Sequence, residues 1–485
     1  MPAPAVGTGI RRTKIVATLG PAWDEAERMA LLFDAGVDTV RINASHGTAE
    51  QRLEWIERLK RVRAERQLPT GILVDLHGPR IRVGKLSDPI MLTPGQQVTF
   101  APEEEAQEGD IPTTYPELAG DVSAGSRILL DDGLLTVDVT GVRGSRVDGT
   151  VRYGGLLKSN KGMNLPGIDV SAPAVTDLDR EEVLRVAAAG VDFIGISFVR
   201  RAEDMETVRA IVPPWMKLVA KIEKDTALRN LDEIIEASDV LMVARGDLGV
   251  ELPFEQVPLV QKKLIRHANR HGKPVITATQ MLESMIGNPR PTRAEASDVA
   301  NAIIDGTDAV MLSAETAVGQ YGLEAVLAMD RIAREVESSR LRANDPDRRR
   351  WQVPAPHLTR TVEGNIPTND AIAVAVATAA DMLSAQAVVC FTSSGSTART
   401  VASYRPRVPI LALTSEVETY QQLSLVWGVV PVMMPHLKNY DPMWAHARAE
   451  LLKRGIVREG SRVVVTCGVP FDEPGTTNLL KVETV

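Results

Sequence analysis

Two consecutive apolar runs end in charge: Leu218-Val219-Ala220-Lys221-Ile222-Glu223, then Val240-Leu241-Met242-Val243-Ala244-Arg245-Gly246-Asp247. Residues two apart on a strand project to one face, so Lys221 and Glu223 point together, a cation beside a carboxylate. The second run ends in another carboxylate, Asp247, after Gly246, where bare backbone lets a ligand approach closely. A lysine and two carboxylates at strand ends are the components of a divalent-metal clamp for a phosphorylated or carboxylated substrate. Taken alone, Lys221 and Glu223 also fit a structural ion pair. Glu223 and Asp247 gain from each other, because unpaired buried carboxylates are costly and a divalent cation removes the cost.

Further apolar runs end in the same way. One closes on Arg41-Ile42-Asn43-Ala44-Ser45-His46-Gly47, another on Asp75-Leu76-His77-Gly78-Pro79-Arg80-Ile81-Arg82, and others on Thr277-Ala278-Thr279-Gln280 and Ser313-Ala314-Glu315-Thr316. Any one such end is most simply a helix cap or a turn; their recurrence on six runs points to a shared site. Asn43, Ser45 and Asp75 together would make an all-oxygen cation site. His46 and His77 fit hydrogen-bonding or packing roles, since no second His or Cys completes a zinc set. Near the C-terminus, Thr392-Ser393-Ser394-Gly395-Ser396-Thr397 follows a strand-like run and opens a helical one. Consecutive hydroxyls and backbone N–H groups at a helix N-terminus suit a phosphate, or an ordinary Ser/Thr cap.

These residues need elements to bring them together. Strand-length apolar runs recur at Lys14 to Leu19, Thr39 to Asn43, Gly71 to Leu76, Phe193 to Val199, Lys217 to Glu223, Val240 to Arg245, Pro274 to Gln280 and Ala309 to Ser313. Amphipathic stretches such as Glu50 to Arg66, Asp179 to Ala189 and Glu255 to Arg270 follow them, which predicts a (β/α)8 barrel over residues 1–78 and 171–345. Residues 79–170 break the rhythm with Gly, Pro and short alternating segments, and predict a small β-barrel domain inserted in a barrel loop, placed to act as a lid. A Pro- and Arg-rich linker near residues 340–362 leads into a C-terminal α/β domain over residues 346–485, with a helix from Asn369 to Leu383 and strands near 387–391, 408–413, 428–434 and 462–467.

Bulk properties narrow the classes. At 485 residues the chain exceeds one hydrophobic core. Its 55 basic and 63 acidic residues give a net charge of −8, which argues against nucleic acid or anionic membrane as partner. No apolar stretch approaches the roughly 20 residues of a membrane span and no leader is evident, so a cytoplasmic location is expected. Cys390 and Cys467 lie in apolar runs without metal-ligand spacing, as buried thiols of a reducing compartment.

Together these segments resemble the pyruvate kinase family over nearly the whole chain. The most specific stretch runs from Ala278 to Met285 through Pro289-Arg290-Pro291-Thr292-Arg293-Ala294-Glu295 to Met311-Leu312-Ser313, joined by Lys221 to Glu223, Ala244 to Asp247 and Arg41 to Gly47. The resemblance implies phosphoryl transfer from phosphoenolpyruvate to ADP, then protonation of the enolpyruvate to give pyruvate. It implies that Glu223 and Asp247 hold Mg²⁺ or Mn²⁺, that Ala244, Arg245, Gly246, Asp247 and Ser313 contact substrate, and that Lys221 and Arg41 neutralise the phosphoryl group in flight. Thr279 would take part in delivering the proton, through water because a hydroxyl is a weak acid. Asn43, His46, Arg82 and Lys161 match nucleotide contacts, and Asn43, Ser45, Asp75 and the Leu76 carbonyl match the monovalent-ion site. Members that need K⁺ typically carry a glutamate where this chain has Arg80, so K⁺ is expected not to be obligatory. Thr392, Ser393, Ser394, Gly395, Ser396 and Thr397 resemble the effector-phosphate cradle. The last loop, Gly468 to Asn478, is acidic where bisphosphate binders place basic residues, which implies a monophosphate such as AMP or a sugar phosphate. A homotetramer is the family expectation, and the chain ending at Val485 is expected to lack the extra C-terminal domain of some bacterial members. A carbon–carbon lyase on a related barrel and a non-enzymatic effector-binding protein are the rival readings. Lys161 in the insert argues against the first, and the intact set Lys221, Glu223, Asp247 and Thr279 against the second.

Overall fold

The computed structural model describes residues 9–79, 81–341, 366–470 and 476–485. Arg80, nearly all of the expected linker, and residues 471–475 of the acidic loop lie outside them.

Eight parallel strands close into a barrel in chain order: β1 (Lys14–Thr18), β2 (Thr39–Asn43), β3 (Gly71–Asp75), β4 (Phe193–Ile196), β5 (Lys217–Ile222), β6 (Val240–Ala244), β7 (Val275–Ala278) and β8 (Ala309–Leu312). Continuous Val/Ile/Leu runs such as Lys14–Thr18 and Val240–Ala244 are buried along their whole length, as strands covered on both faces must be. One core lies between strands and outer helices; a second fills the barrel with Val16, Leu73, Val219, Met242, Ile276 and Met311. Capping boxes at Thr48, Thr176 and Thr292 start three of the outer helices. Among the described residues no helix is long and apolar enough to cross a membrane.

The barrel floor carries a fourfold repeat. The residue before each even-numbered strand is an aspartate: Asp38, Asp192, Asp239 and Asp308. Each carboxylate accepts a backbone N–H from the preceding odd strand, from Ile15 (2.8 Å), Ile72 (2.8 Å), Leu218 (3.0 Å) and Val275 (3.0 Å). Each also meets an arginine: Arg11, Arg63, Arg209 and Arg405 respectively. The barrel is thus four copies of a two-strand unit, each pinned at its N-terminal end by one carboxylate, buried at Asp192 and Asp308 and half-buried at Asp38 and Asp239.

The insert between β3 and β4 forms a six-stranded sheet and a two-stranded ribbon around its own core of Phe100, Ile111, Ile128, Val137 and Val147. Its Asp131-Asp132-Gly133 turn, all at positive φ, joins strands Arg127–Leu130 and Leu135–Arg143. The C-terminal domain is a five-stranded sheet, with Thr477–Thr484 antiparallel on Arg462–Gly468. That strand was not anticipated, because Thr477 and Asn478 read as loop. The domain plugs the barrel floor: Leu425 joins the interior core, Ser424 bonds Thr39 (2.9 Å), and Gln422 donates to the Trp215 carbonyl (2.8 Å).

Candidate active site

The polar strand ends meet at the C-terminal mouth of the barrel. Lys221, the fifth residue of β5, lies with its ammonium 2.9 Å from Glu223 Oε1, 3.1 Å from Asp75 Oδ1 and 2.6 Å from Ser197 Oγ. Asp75 Oδ2 accepts from Arg41 Nε (2.8 Å) and lies 2.6 Å from Arg41 Nη2. Arg41, Asp75, Lys221 and Glu223 therefore form one row of alternating charge across β2, β3 and β5. Asp75 and Glu223 are only 1% and 2% exposed, so their charges depend on this pairing.

Burial pushes the Glu223 acid up to about 7; Lys221 opposes the rise and nearby Asp247 adds to it. Burial also raises Asp247 above the ordinary carboxylate range. At Lys221 burial works against the charge, but Asp75 and Glu223 outweigh it and hold the ammonium above its ordinary value. At Asp75 burial is likewise overcome, by Lys221 and Arg41, and its acid is lowered. Among the described residues no three or more His, Cys, Asp or Glu side chains gather as a metal set. A cation at Glu223 and Asp247 would therefore take further ligands from substrate and water.

Thr279 sits just past β7 at φ 66°, an uncommon conformation for a β-branched residue, and Gln280 follows at 53°. The Thr279 hydroxyl accepts from Gly246 N–H (2.8 Å) and donates to the Ala278 carbonyl (2.7 Å), tying β7 to the short helix Arg245–Glu251. Ala244 is the N-cap of that helix, and Asp247 lies in its first turn. The Arg245 guanidinium is turned beneath this junction: it donates to the carbonyls of Thr279 (2.7 Å) and Gln280 (3.2 Å) and pairs with Asp298 (2.6 Å). It clamps the strained turn, while its backbone begins the helix. Ser313 Oγ, after β8, is buried with no hydrogen-bond partner among the described residues.

At the monovalent-ion residues, Asn43 Oδ1 accepts Ser45 N–H (3.0 Å), and the Leu76 carbonyl accepts from Ser197 Oγ (2.8 Å). His46 is exposed at the rim. Gly78 (φ 65°) steers the chain toward the insert where a side chain would strike Phe198 (2.7 Å). In the insert, Arg82 bridges Gly162 and Lys161 pairs with Asp131 (2.7 Å). The insert touches the site wall: Asn164 reaches Glu251 (3.4 Å), and Gly133 lies beside Val250.

Three contributors escaped the sequence reading. Ser197 bonds Lys221, the Phe198 N–H donates to Glu223 Oε2 (2.6 Å), and Thr18 Oγ1 accepts from Arg41 Nη1 (3.0 Å). Ser197 and Phe198 end an apolar run as the recognised residues do; Thr18 gave no signal beyond its place at the end of β1.

In the C-terminal domain, Thr392, Ser393, Ser394 and Thr397 line a pocket of about 410 Å³ at the head of helix Ser396–Ser403; Gly395 (φ 76°), the N-cap of that helix, and Ser396 do not line it. Glu416 and His436 also line it; among the described residues no lysine or arginine does.

A closed barrel with a charged row at its C-terminal mouth, a β domain over that mouth and an α/β domain plugging its floor defines a multidomain (β/α)8-barrel enzyme. The pyruvate kinase barrel domain matches residues 10–326, and the pyruvate kinase alpha/beta domain matches residues 370–483. Pyruvate kinase of Geobacillus stearothermophilus is 44% identical over 483 residues, covering 98% of this chain and 80% of that protein. That of Methylorubrum extorquens is 43% identical over 476 residues, covering 97% of each. A crystal structure of a pyruvate kinase from Cryptosporidium parvum superposes with a TM-score of 0.89 at 32% identity, over 98% of this chain and 96% of that one. The chain belongs to the pyruvate kinase family and is a phosphotransferase.

Proposed function

We propose that the chain transfers the phosphoryl group of phosphoenolpyruvate to ADP and protonates the resulting enolpyruvate, releasing ATP and pyruvate. The observation that carries this reading is the buried row Arg41–Asp75–Lys221–Glu223, which holds two cations at one mouth with fixed geometry. Phosphoryl transfer asks little covalent chemistry of a protein and much positioning and charge stabilisation. Lys221 and Arg41 are held in place by Asp75 before substrate arrives, so they meet the transferring group without reorganising. The Asp247 backbone, at the start of a helix and beside Gly246, whose own N–H is taken by Thr279, suits the substrate carboxylate. Thr279 Oγ1 lies on the Gly246 N–H, next to that carboxylate seat, where it would pass a proton through water to the enolpyruvate carbon.

Glu223 and Asp247 fit Mg²⁺ or Mn²⁺, because burial raises both acids and bound divalent charge would relieve that cost. When bound, the metal supplies a Lewis-acid anchor for carboxylate and phosphate oxygens. Lys161 and Arg82 of the insert, with Asn43 and His46 at the rim, are the proposed nucleotide contacts. Without ADP, a pyruvate-reporting assay coupled to lactate dehydrogenase should show no product from phosphoenolpyruvate; product without ADP would favour a lyase and contradict this reading.

We also propose that K⁺ is dispensable. Asn43 Oδ1, Asp75 Oδ2 and the Leu76 carbonyl each already accept a donor from within the chain, and Arg80 adds positive charge in the neighbouring segment. Activity should persist in Na⁺- and K⁺-free tetramethylammonium buffer; collapse there with recovery on K⁺ would contradict it. For the effector, the hydroxyl-rich pocket, which no lysine or arginine among the described residues lines, supports one phosphate, from AMP or a sugar monophosphate, over a bisphosphate. A larger drop in half-saturating phosphoenolpyruvate with a bisphosphate would overturn that choice. A cytoplasmic homotetramer is the assembly we propose, with fully buried Cys390 and Cys467 suited to a reducing compartment; light scattering checks the mass.

A further inference from the structure

A small cavity lies where the C-terminal domain meets the barrel floor, distinct from both the mouth and the effector pocket. Lys217 and Asp239 from the barrel, and Arg399, Gln422 and Leu425 from the C-terminal domain, line it. Its charge does not balance. Asp239 pairs with Arg209 and lies 3.5 Å from Lys217, and its other duty is the Leu218 N–H. Lys273, the residue before the lining Pro274, spends its donors on the carbonyls of Ser238 and Glu236. Arg399 is half-buried and donates its backbone N–H to the Gly395 carbonyl (3.0 Å), but among the described residues its guanidinium makes no hydrogen bond or ion pair. Four half-buried cations thus stand around one carboxylate, two of them, Lys217 and Arg399, lining the cavity, and only the Arg399 guanidinium has no partner; a charge partly shielded from water and left unpaired is unfavourable. Like-charge repulsion pulls in the same direction: burial lowers the pKa of both Lys217 and Lys273, Asp239 opposes the fall, and the Arg399 charge adds to it.

We infer that this interdomain cavity binds a small inorganic anion of chloride size, bridging Arg399 to Lys217. The free space is about 20 Å³, enough for one atom-sized ion and too little for a sugar or nucleotide. The position gives the ion a structural consequence. Arg399 sits on helix Ser396–Ser403, and its guanidinium reaches back to Gly395, where an added Cβ would lie 2.7 Å from Nη1. Lys217 begins β5, the strand that carries Lys221 at its other end. A bound anion therefore ties the head of the regulatory helix to a catalytic strand.

The test is thermal unfolding of the full chain in sodium chloride and in sodium gluconate at matched ionic strength. The parent protein should gain a saturable rise in unfolding midpoint of about 1–2 °C with chloride. In gluconate, Arg399→Met should unfold at the same temperature as the parent or higher, since it removes an unpaired cation; in chloride it should unfold lower, and Lys217→Met should also lose the saturable rise. Thr392→Val, in the effector cradle, should keep it. A chloride response that survives Arg399→Met, one lost in Thr392→Val, or an Arg399→Met variant destabilised equally in both salts would overturn the proposal. Bromide-soaked crystals should give an anomalous peak between Arg399 and Lys217, and its absence at saturating bromide would also overturn it.

Discussion

Asp75 is the residue on which the candidate site turns, because one carboxylate holds both cations of the mouth. Its Oδ2 takes Arg41 and its Oδ1 faces Lys221, at 1% exposure. Asp75→Asn would leave Arg41 and Lys221 facing each other without that charge. It should destabilise the fold by about 3 kcal/mol and lower kcat/KM by about a hundredfold, read by denaturant unfolding and the coupled assay. Arg245 acts at one remove, as a positioning residue beneath the Thr279–Gln280 turn. Arg245→Met should lower kcat about tenfold or more while leaving half-saturation for ADP nearly unchanged, and a parent-like kcat would remove the clamp from the account. Lys221 beside Glu223 was legible in the sequence because strand periodicity is local. The role of Asp75 was not: its partners come from strands 34 and 146 positions away, and only barrel register brings them opposite it.

At the scale of elements, seven of the eight barrel strands end one to three residues before the sequence pattern predicts; only Thr39–Asn43 ends where expected. The shortfall falls where the site begins, at Thr279, Gln280, Glu223, Arg245 and Ser313, which leave the ladder to turn inward. Apolar patterning reports burial, and Glu223, Arg245, Thr279 and Ser313 stay buried or half-buried after the hydrogen-bonded ladder has stopped, whereas Gln280 is exposed. The floor aspartates were not picked out from the sequence, although they stand there as Gly36-Val37-Asp38, Gly190-Val191-Asp192 and Gly306-Thr307-Asp308, with Ala237-Ser238-Asp239 as the variant. Their meaning appears only when each is seen to accept the neighbouring strand's N–H. Leu425, 1% exposed, is the plug that joins domain to barrel. Leu425→Ala should cost about 3 kcal/mol, seen as a lower unfolding midpoint of the barrel; an unchanged midpoint would mean the floor is sealed without it.

For the whole molecule, three bodies divide the labour: the barrel holds the charged row, the insert faces it, and the C-terminal domain closes the floor. The order of these bodies was legible from the broken βα rhythm, whereas the antiparallel strand Thr477–Thr484 was not, because its alternation follows a loop rich in turn residues. Lys161 tests the insert's part: Lys161→Ala should raise half-saturating ADP about tenfold with little change for phosphoenolpyruvate. The central claim is that Lys221 supplies the positive charge that the transferring phosphoryl group meets. The most direct measurement is the coupled assay on Lys221→Ala, with folding verified by circular dichroism, in the absence and presence of ethylammonium. A fall in kcat/KM of about a thousandfold, partly restored by the amine, is the predicted result; a fall of less than tenfold, or a large loss that the amine leaves untouched, would contradict it.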